Sequence, residues 1–115
     1  MTRTFIQTDE FVKLWEKLGL TDEDLRELEL EILKNPQEGP VIRGTGGLRK
    51  LRFAYENKGK SGSTRICYVD YVIYETVYLI TAYAKSEKDN LTEAECNEIR
   101  KVILAIGKQL QEGEC

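Results

Sequence analysis

Three β-prone runs in the middle of the chain constrain its fold more than any other feature. They cover residues 48–55, 63–72 and 77–84, and a polar, glycine-containing stretch, 56–62, separates the first two. This spacing predicts a β-hairpin with a long loop. The third run is rich in β-branched and aromatic residues, which predicts a central and well-buried strand.

Amphipathic helical patterns lie on both sides of these runs. A short β-prone segment at 4–7 is followed by two helical patterns, the second of which opens at Thr21 with a variant of the capping box. A full capping box at Thr92 and Glu95 opens a long amphipathic helix near the C-terminus. The resulting order, β-α-α-β-β-β-α, predicts an α+β fold in which two N-terminal helices and a C-terminal helix pack on an antiparallel sheet.

The length and composition of the chain exclude several classes of protein. With 115 residues, 41% of them hydrophobic, the chain can bury one core, so we expect a single domain spanning residues 1–115. Six charged residues lie within the first twenty positions, so these positions do not have the apolar core of a signal peptide. No stretch approaches about 18 apolar residues either, and the chain is therefore predicted to be a cytoplasmic protein without a membrane segment. Three cysteines without a CxxC spacing, and no histidine, argue against a metal site, and nothing in the sequence predicts a cofactor.

The distribution of charge singles out one stretch as a candidate binding surface. Residues 43–65 contain seven basic residues and one acid, a net charge of +6. Residues 9–38 contain ten acids and four bases (−6), and residues 66–115 contain nine acids and five bases (−4). A compact basic block on a predicted hairpin, inside a chain with a net charge of −3, is typical of an anion-binding face. Phosphate is the anion that this pattern favours.

The alternation of side chains along the predicted strands selects candidate residues. Lys50 and Arg52 share one face of the first strand, about 7 Å apart, and Arg65 lies on the second strand. Lys85 projects from the end of the third strand, and Lys60 lies in the hairpin loop. Like charges that converge in this way repel each other, which an anion would relieve. Because six tyrosines are interleaved with the block or follow it, the pattern favours RNA as the partner.

Three segments of the chain resemble a known family. GTGGLRKLRFA, GKSGSTRICY and LITAYAKSEKDNLT are similar to signature segments of the HigB-type branch of the RelE superfamily of bacterial type II toxins. The resemblance spans nearly the whole chain, because the order of helices and strands also agrees. It implies a microbial ribonuclease-like fold and a ribosome-dependent endoribonuclease that cuts mRNA in the decoding site. It also implies attack of the ribose 2′-hydroxyl on the adjacent phosphate, and a cognate HigA-like helix-turn-helix antitoxin as partner.

The resemblance assigns roles to the same basic residues. The catalytic residues of the family fall on four positions of this chain: Lys50, Arg52, Arg65 and Lys85. Where RelE has a further arginine directly after that lysine, this chain has Ser86, and where RelE has a tyrosine at the start of the last segment, it has Thr92. The candidates for substrate binding, which include the replacements for these two side chains, are Arg49, Lys60, Tyr83 and Lys88.

The absence of histidine limits the choice of a general base. A lysine is almost fully protonated at pH 7, so Lys50 can accept a proton from the substrate only if the neighbouring cations Arg52 and Arg65 favour its neutral form. The two arginines would also bind the scissile phosphate and stabilise its developing charge. The structural alternative for Arg65 is an ion pair with Asp70 or Glu75 that only braces the sheet.

Two other functions are compatible with the same basic block. It could belong to a non-catalytic RNA- or DNA-binding module that contacts phosphates. It could also belong to a protein-interaction domain whose basic face meets an acidic partner. Cleavage of a translated message in the presence of ribosomes distinguishes the toxin from both.

Overall fold

The order of helices and strands is the predicted one, β-α-α-β-β-β-α. The computed structural model describes residues 2–54 and 63–113. The elements are β1 (Thr4–Gln7), α1 (Asp9–Lys17), α2 (Asp22–Lys34), β2 (Arg49–Ala54), β3 (Ser63–Tyr71), a 3-10 turn (Val72–Tyr74), β4 (Thr76–Ala84) and α3 (Glu93–Glu112). The predicted α+β fold class is therefore confirmed. The predicted hairpin loop, 56–62, lies outside the described residues.

The four strands form one sheet in the order β1-β4-β3-β2. β2, β3 and β4 are antiparallel neighbours, as predicted, and β4 has a central position. β1 differs from this pattern, because it pairs with residues 76–79 of β4 in parallel. A parallel pair needs a long connection, which the two N-terminal helices and the β2–β3 hairpin supply here. The sheet is therefore mixed, with one parallel pair at its β1 edge.

One face of the sheet is covered by α1 and α2. The two helices bury the rings of Phe11 and Trp15, whose centroids are 5.4 Å apart, and the side chains of Leu28 and Ile32. They pack against the strand residues that point to this face: Leu51, Phe53, Ile66, Tyr68, Val77, Leu79 and Ala82. The apolar spacing of three and four residues along each helix is thus explained by contact with the sheet.

The other face is covered by α3. Three isoleucines of this helix join a second core cluster with residues from the strands: Leu48, Cys67, Val69, Ile80, Tyr83, Ile99, Ile103 and Ile106. The hydroxyl of Tyr71 donates to the carbonyl oxygen of Ile103 at 2.7 Å, which ties the end of β3 to the helix. Neither α3, with 20 residues, nor any other helix in the described part of the chain is long and apolar enough to cross a membrane.

A β-bulge in β4 turns the side chains near its end toward α3. The pairing of β3 with β4 skips Ile80, which lies between the partners of Cys67 and Tyr68. One extra residue shifts the alternation of the strand that carries it. Tyr83 therefore faces α3 together with Ile80, although the two are three positions apart.

The helix starts confirm the capping signals of the sequence. The hydroxyl oxygen of Thr21 accepts the backbone N–H of Asp24 at 3.1 Å, and the carboxylate of Asp24 accepts the backbone N–H of Thr21 at 2.9 Å. Thr92 and Glu95 form the same reciprocal pair at the start of α3, with distances of 3.1 and 2.8 Å. Each box satisfies N–H groups that the first turn of a helix leaves without a partner.

The loop that precedes β2 is fastened to the edge of the sheet. The backbone N–H of Lys50 donates to the carbonyl oxygen of Pro40 at 3.1 Å. The hydroxyl of Tyr68 donates to the carbonyl oxygen of Pro36 at 2.9 Å, and both the ring and that proline are buried. These hydrogen bonds hold the loop in place beside β2.

We expect Gly39→Ala to lower the free energy of unfolding by about 1–3 kcal/mol. A Cβ atom at Gly39 would lie 2.7 Å from the carbonyl oxygen of Lys50, a backbone atom that cannot rotate away. Gly107→Ala in α3 is the matched control, because a Cβ atom there would meet the ring of Tyr71 at an ordinary 3.5 Å. Removing a glycine from a helix interior should stabilise by about 0.5–1 kcal/mol. Urea unfolding measures both changes, and a Gly39→Ala variant as stable as the wild type would contradict the close contact.

Candidate functional site

Two arginines of the basic block lie side by side on the sheet. Arg52 of β2 and Arg65 of β3 are direct cross-strand partners, and Tyr83 of β4 continues the same row. Lys50 pairs with Cys67 in the neighbouring row. Cys67 and Tyr83 belong to the core under α3, so the alternation of side chains directs the whole group to that face. We refer to Lys50, Arg52 and Arg65 as the cation site, and their strand positions lie within about 7–8 Å of one another.

The cation site borders a groove of about 410 Å³ at the β2 edge of the sheet. Arg52 is exposed, and Lys50 and Arg65 are half-buried, so all three side chains reach solvent. Glu31 and Glu38 line the same groove. Three neighbouring cations repel one another, and two carboxylates offset that repulsion only in part. Among the described residues that line the groove, three cations outnumber two carboxylates, so this part of the groove has a net positive charge with which it can bind an anion.

Lys88 is held by two neighbours, Glu95 and Tyr83. Its Nζ is 2.6 Å from Oε2 of Glu95 and 5.3 Å from the centroid of the Tyr83 ring. The carboxylate of Glu95 also caps α3, so one residue fixes both the start of the helix and the position of Lys88. Lys88 lines a second groove, of about 440 Å³, and does not line the groove beside the cation site.

The loop between β4 and α3, residues 85–92, contacts the cation site directly. The Nζ of Lys50 donates to Oδ1 of Asn90 at 3.0 Å. The hydroxyl of Tyr83 donates to the carbonyl oxygen of Asp89 at 3.4 Å. The loop thereby connects the central strand β4 with the edge strand β2.

Burial keeps two ionisable side chains near the site in their neutral forms. It raises the pKa of the Tyr83 hydroxyl to about 12, although the charge of Arg65 opposes the shift. It also raises the pKa of the Cys67 thiol to about 12, against the opposing charge of Lys50. Both groups are therefore neutral at pH 7, and Tyr83 can donate a hydrogen bond but cannot act as a base there.

The three side chains of the cation site are suited to binding a phosphate. Each guanidinium group can grip two phosphate oxygens, and an ammonium group adds a third charge that is not tied to one geometry. Donors fixed in this way stabilise negative charge that develops during a reaction. Within residues 2–54 and 63–113, no group of three or more histidine, cysteine, aspartate or glutamate side chains could hold a metal ion.

Three further candidates have other surroundings. Arg49 points to the opposite face of the sheet from Lys50, and its Nη1 donates to the carbonyl oxygens of Gln37 and Gly39 at 3.0 and 2.8 Å. Lys85 is exposed in the turn after β4 and does not line the groove beside the cation site. Lys60 lies outside the described residues. Of the predicted residues, the structure therefore brings together Lys50, Arg52, Arg65 and Tyr83.

One of the two acids suggested as a structural partner for Arg65, Asp70, pairs with another arginine. Asp70 binds Arg3, with 2.7 Å between Nε and Oδ1 and 3.2 Å between Nη2 and Oδ2. This hydrogen-bonded contact raises the pKa of the Arg3 guanidinium above its usual value. Asp70 therefore braces the N-terminal segment against β3.

Sequence reasoning missed two residues that contact the candidates. Asn90 lies 40 positions from Lys50, and no spacing signal connects a loop residue with a strand so far away. Glu95 was recognisable as a helix cap but not as the partner of Lys88. One signal could have revealed this pair: a carboxylate that caps a helix with one oxygen has a second oxygen, which a nearby lysine can bind.

We expect Glu95→Gln to lower the free energy of unfolding by about 0.5–1 kcal/mol at pH 7, since the ion pair with Lys88 is partly exposed. Hydrogen bonds from Lys88 and Thr92 lower the pKa of Glu95 below its ordinary 4.5. A carboxyl with a lowered pKa stabilises the fold above its unfolded-state pKa, and this contribution is lost as the pH falls through the folded-state value.

Urea unfolding of wild type and variant at pH 7 and at about pH 2–3 measures this dependence. Glu98→Gln is the control, because its ion pair with Lys101 is 3.3 Å long and the two side chains are 75% and 74% exposed. A stability difference for Glu95→Gln that grows as the pH falls would contradict the role of the charged carboxylate.

Comparison with known proteins assigns the chain to a family. Residues 2–112 match the family described as "RelE toxin of RelE / RelB toxin-antitoxin system". A solved structure of a mutant of the E. coli toxin RelE in the free state has a similar fold, with a TM-score of 0.53 and 21% sequence identity over 72% of this chain and 83% of that chain. The chain with the paired arginines therefore belongs to the RelE toxin family of toxin–antitoxin systems.

Proposed function

We propose that this toxin is a ribosome-dependent endoribonuclease that cuts mRNA in the decoding site and so inhibits translation in the cytoplasm. The observation that carries the proposal is the register of the hairpin, which pairs Arg52 with Arg65 beside Lys50. Membership of the RelE toxin family supports it. The three segments quoted above further favour the HigB-type branch of the superfamily.

The proposed reaction is a transesterification within the RNA chain. The ribose 2′-oxygen attacks the adjacent phosphorus and loses its proton, and the bond from phosphorus to the 5′-oxygen of the next nucleotide breaks. The products are a 2′,3′-cyclic phosphate and a free 5′-hydroxyl. Arg52 and Arg65 bind the non-bridging oxygens, whose negative charge increases in the transition state. Lys50, in its neutral form, takes up the proton of the 2′-hydroxyl, and Lys85 is the candidate that protonates the leaving 5′-oxygen.

The substrate-binding candidates contribute in different ways in this proposal. Tyr83 is only 4% exposed, so it supports Arg65 from within the sheet and does not stack on a base. Arg49 binds two carbonyl oxygens, and Lys88 binds Glu95. In this proposal both residues stabilise the loops that flank the cation site. Lys60 is the candidate for a further phosphate contact from the hairpin loop.

We expect cleavage to require ribosomes. The chain has a net charge of −3, and a few phosphate contacts hold free RNA weakly at physiological salt, where counterions compete. The test incubates a translated message with the purified protein, with and without ribosomes, and maps the cut sites by primer extension. Equal cutting of naked RNA would contradict ribosome dependence. RNA binding without any cutting would favour a non-catalytic binding module, and failure to bind RNA at all would favour a protein-interaction domain.

The proposed protein partner is a HigA-like antitoxin with a helix-turn-helix fold. Family membership already places the chain in toxin–antitoxin systems. A small helix-turn-helix reading frame beside the gene, whose product suppresses cleavage in the ribosome assay, would identify this antitoxin.

A further inference from the structure

The loop between β4 and α3, residues 85–92, is fixed to the domain at both of its ends. At its start, the carbonyl oxygen of Ala84 accepts the backbone N–H groups of Glu87 at 3.0 Å and Lys88 at 3.3 Å. At its end, the capping box of Thr92 fixes the first turn of α3. The middle of the loop is therefore held in a set position relative to the sheet.

Asn90 lies in the middle of this loop and reaches the cation site. Its Oδ1 accepts a hydrogen bond from Nζ of Lys50 at 3.0 Å. The residue that pairs with Lys50 in β3 is Cys67, a buried neutral thiol that is a weak acceptor. Glu31 and Glu38 line the groove but form no ion pair with Lys50 within the described part of the chain. Among the described residues, Asn90 is thus the hydrogen-bond partner of the Lys50 amino group, in a contact that solvent can reach.

We propose that Asn90 is a positioning residue for Lys50, an inference that rests on the proposed function of the cation site. A lysine side chain has four rotatable bonds, and its terminal nitrogen otherwise samples many positions. A group that takes up a substrate proton has to lie within hydrogen-bond reach of it, and misplacement by about 1 Å can reduce a rate by about a hundredfold. The amide oxygen of Asn90 favours positions of Nζ that lie within hydrogen-bond reach of the loop, beside the two arginines.

The chemistry of an amide suits this task. A carboxylate at the same place would also bind the Lys50 ammonium, but it would add a negative charge beside the phosphate site. The amide oxygen of Asn90 orients the nitrogen and leaves the net charge of the cation site unchanged. The role therefore concerns the geometry of the reacting group, and the affinity for RNA should change little when Asn90 is replaced.

The first test compares variants of Asn90 in the ribosome-dependent cleavage assay. Asn90→Leu keeps the size of the side chain and removes the acceptor, and it should lower kcat by about tenfold or more with KM within about twofold. Asn90→Gln keeps an amide oxygen on a longer chain and should recover part of the rate. Asn97→Leu is the matched control, because Asn97 is exposed on α3. In a Lys50→Met background, Asn90→Leu should have no further effect.

The second test does not depend on activity. NMR relaxation of the Lys50 methylene groups should show lower order in Asn90→Leu than in the wild type or in Asn97→Leu. Unchanged order would overturn the inference. Impaired cleavage in Lys50→Met together with normal kcat in Asn90→Leu would also overturn it, while leaving the proposed function intact. A wild-type protein that cuts no RNA would instead refute the proposed function, and the NMR comparison would still decide whether Asn90 orders Lys50.

Discussion

Arg65→Ala is expected to reduce the rate of ribosome-dependent mRNA cleavage by about a hundredfold or more. Arg65 stands in the middle of a row, with Arg52 on one neighbouring strand and Tyr83 on the other, so strands on both sides hold its backbone. A guanidinium group in this place can bind two oxygens of the scissile phosphate at once. Arg65→Lys keeps the charge without that geometry and should recover only a small part of the rate.

The same variant should unfold at close to the wild-type temperature. Removing Arg65 also removes the repulsion between two arginines that are directly opposite each other, which offsets part of the cost of the contacts that its side chain loses. Cleavage and thermal unfolding should be measured on one preparation, with Arg26→Ala as the control for loss of an exposed arginine on α2. A lowered Tm with near-normal cleavage would show that Arg65 braces the sheet and takes no part in the reaction.

The helices and the central strand were predictable because their signals are local. The capping boxes at Thr21 and Thr92 are formed by residues three positions apart, so the sequence contains both partners of each hydrogen bond. The β-branched and aromatic run 77–84 matches β4 nearly residue for residue. Each of these patterns lies within one turn of a helix or one strand. In this chain the tertiary contacts favour the same helices and strand that the local patterns predict.

The sheet topology and the loop contacts depend on distant residues and were less predictable. The parallel pairing of β1 with β4 joins residues about seventy positions apart, and nothing in the segment 4–7 sets its direction. The bulge at Ile80 changes which side chains of β4 face α3, which strict alternation does not foresee. Asn90 meets Lys50, 40 positions away in the sequence, through a loop that is held at both ends.

The cation site was predictable in its residues but not in its register. Alternation along one strand places Lys50 and Arg52 on one face whatever the hairpin does. The residue opposite Arg52 depends on how the two strands are aligned, and a long loop such as 56–62 leaves that alignment open. The structure resolves it by pairing Arg52 with Arg65, while the neighbouring Arg49 points to the other face and binds carbonyl oxygens.

The second large effect is expected near the other end of β3, where Arg3→Met should lower the free energy of unfolding by about 3–5 kcal/mol. Arg3 and Asp70 form a two-point ion pair, with distances of 2.7 and 3.2 Å and side chains that are 8% and 1% exposed. Without the guanidinium group, the carboxylate of Asp70 stays buried and loses its opposite charge. For a chain of 115 residues this corresponds to a fall in Tm of roughly 10–25 °C.

Lys101→Met is the matched control for this prediction. Lys101 forms an ion pair with Glu98 at 3.3 Å, but the two side chains are 74% and 75% exposed, so its loss should cost less than about 1 kcal/mol. Combining Arg3→Met with Asp70→Leu should recover most of the lost stability, because two apolar side chains can be buried there without desolvating a charge. A cost for Arg3→Met no larger than that for Lys101→Met would mean that water reaches Asp70 once the arginine is gone. In that case the apolar packing of the core, and not the buried ion pair, holds the N-terminal segment on the sheet.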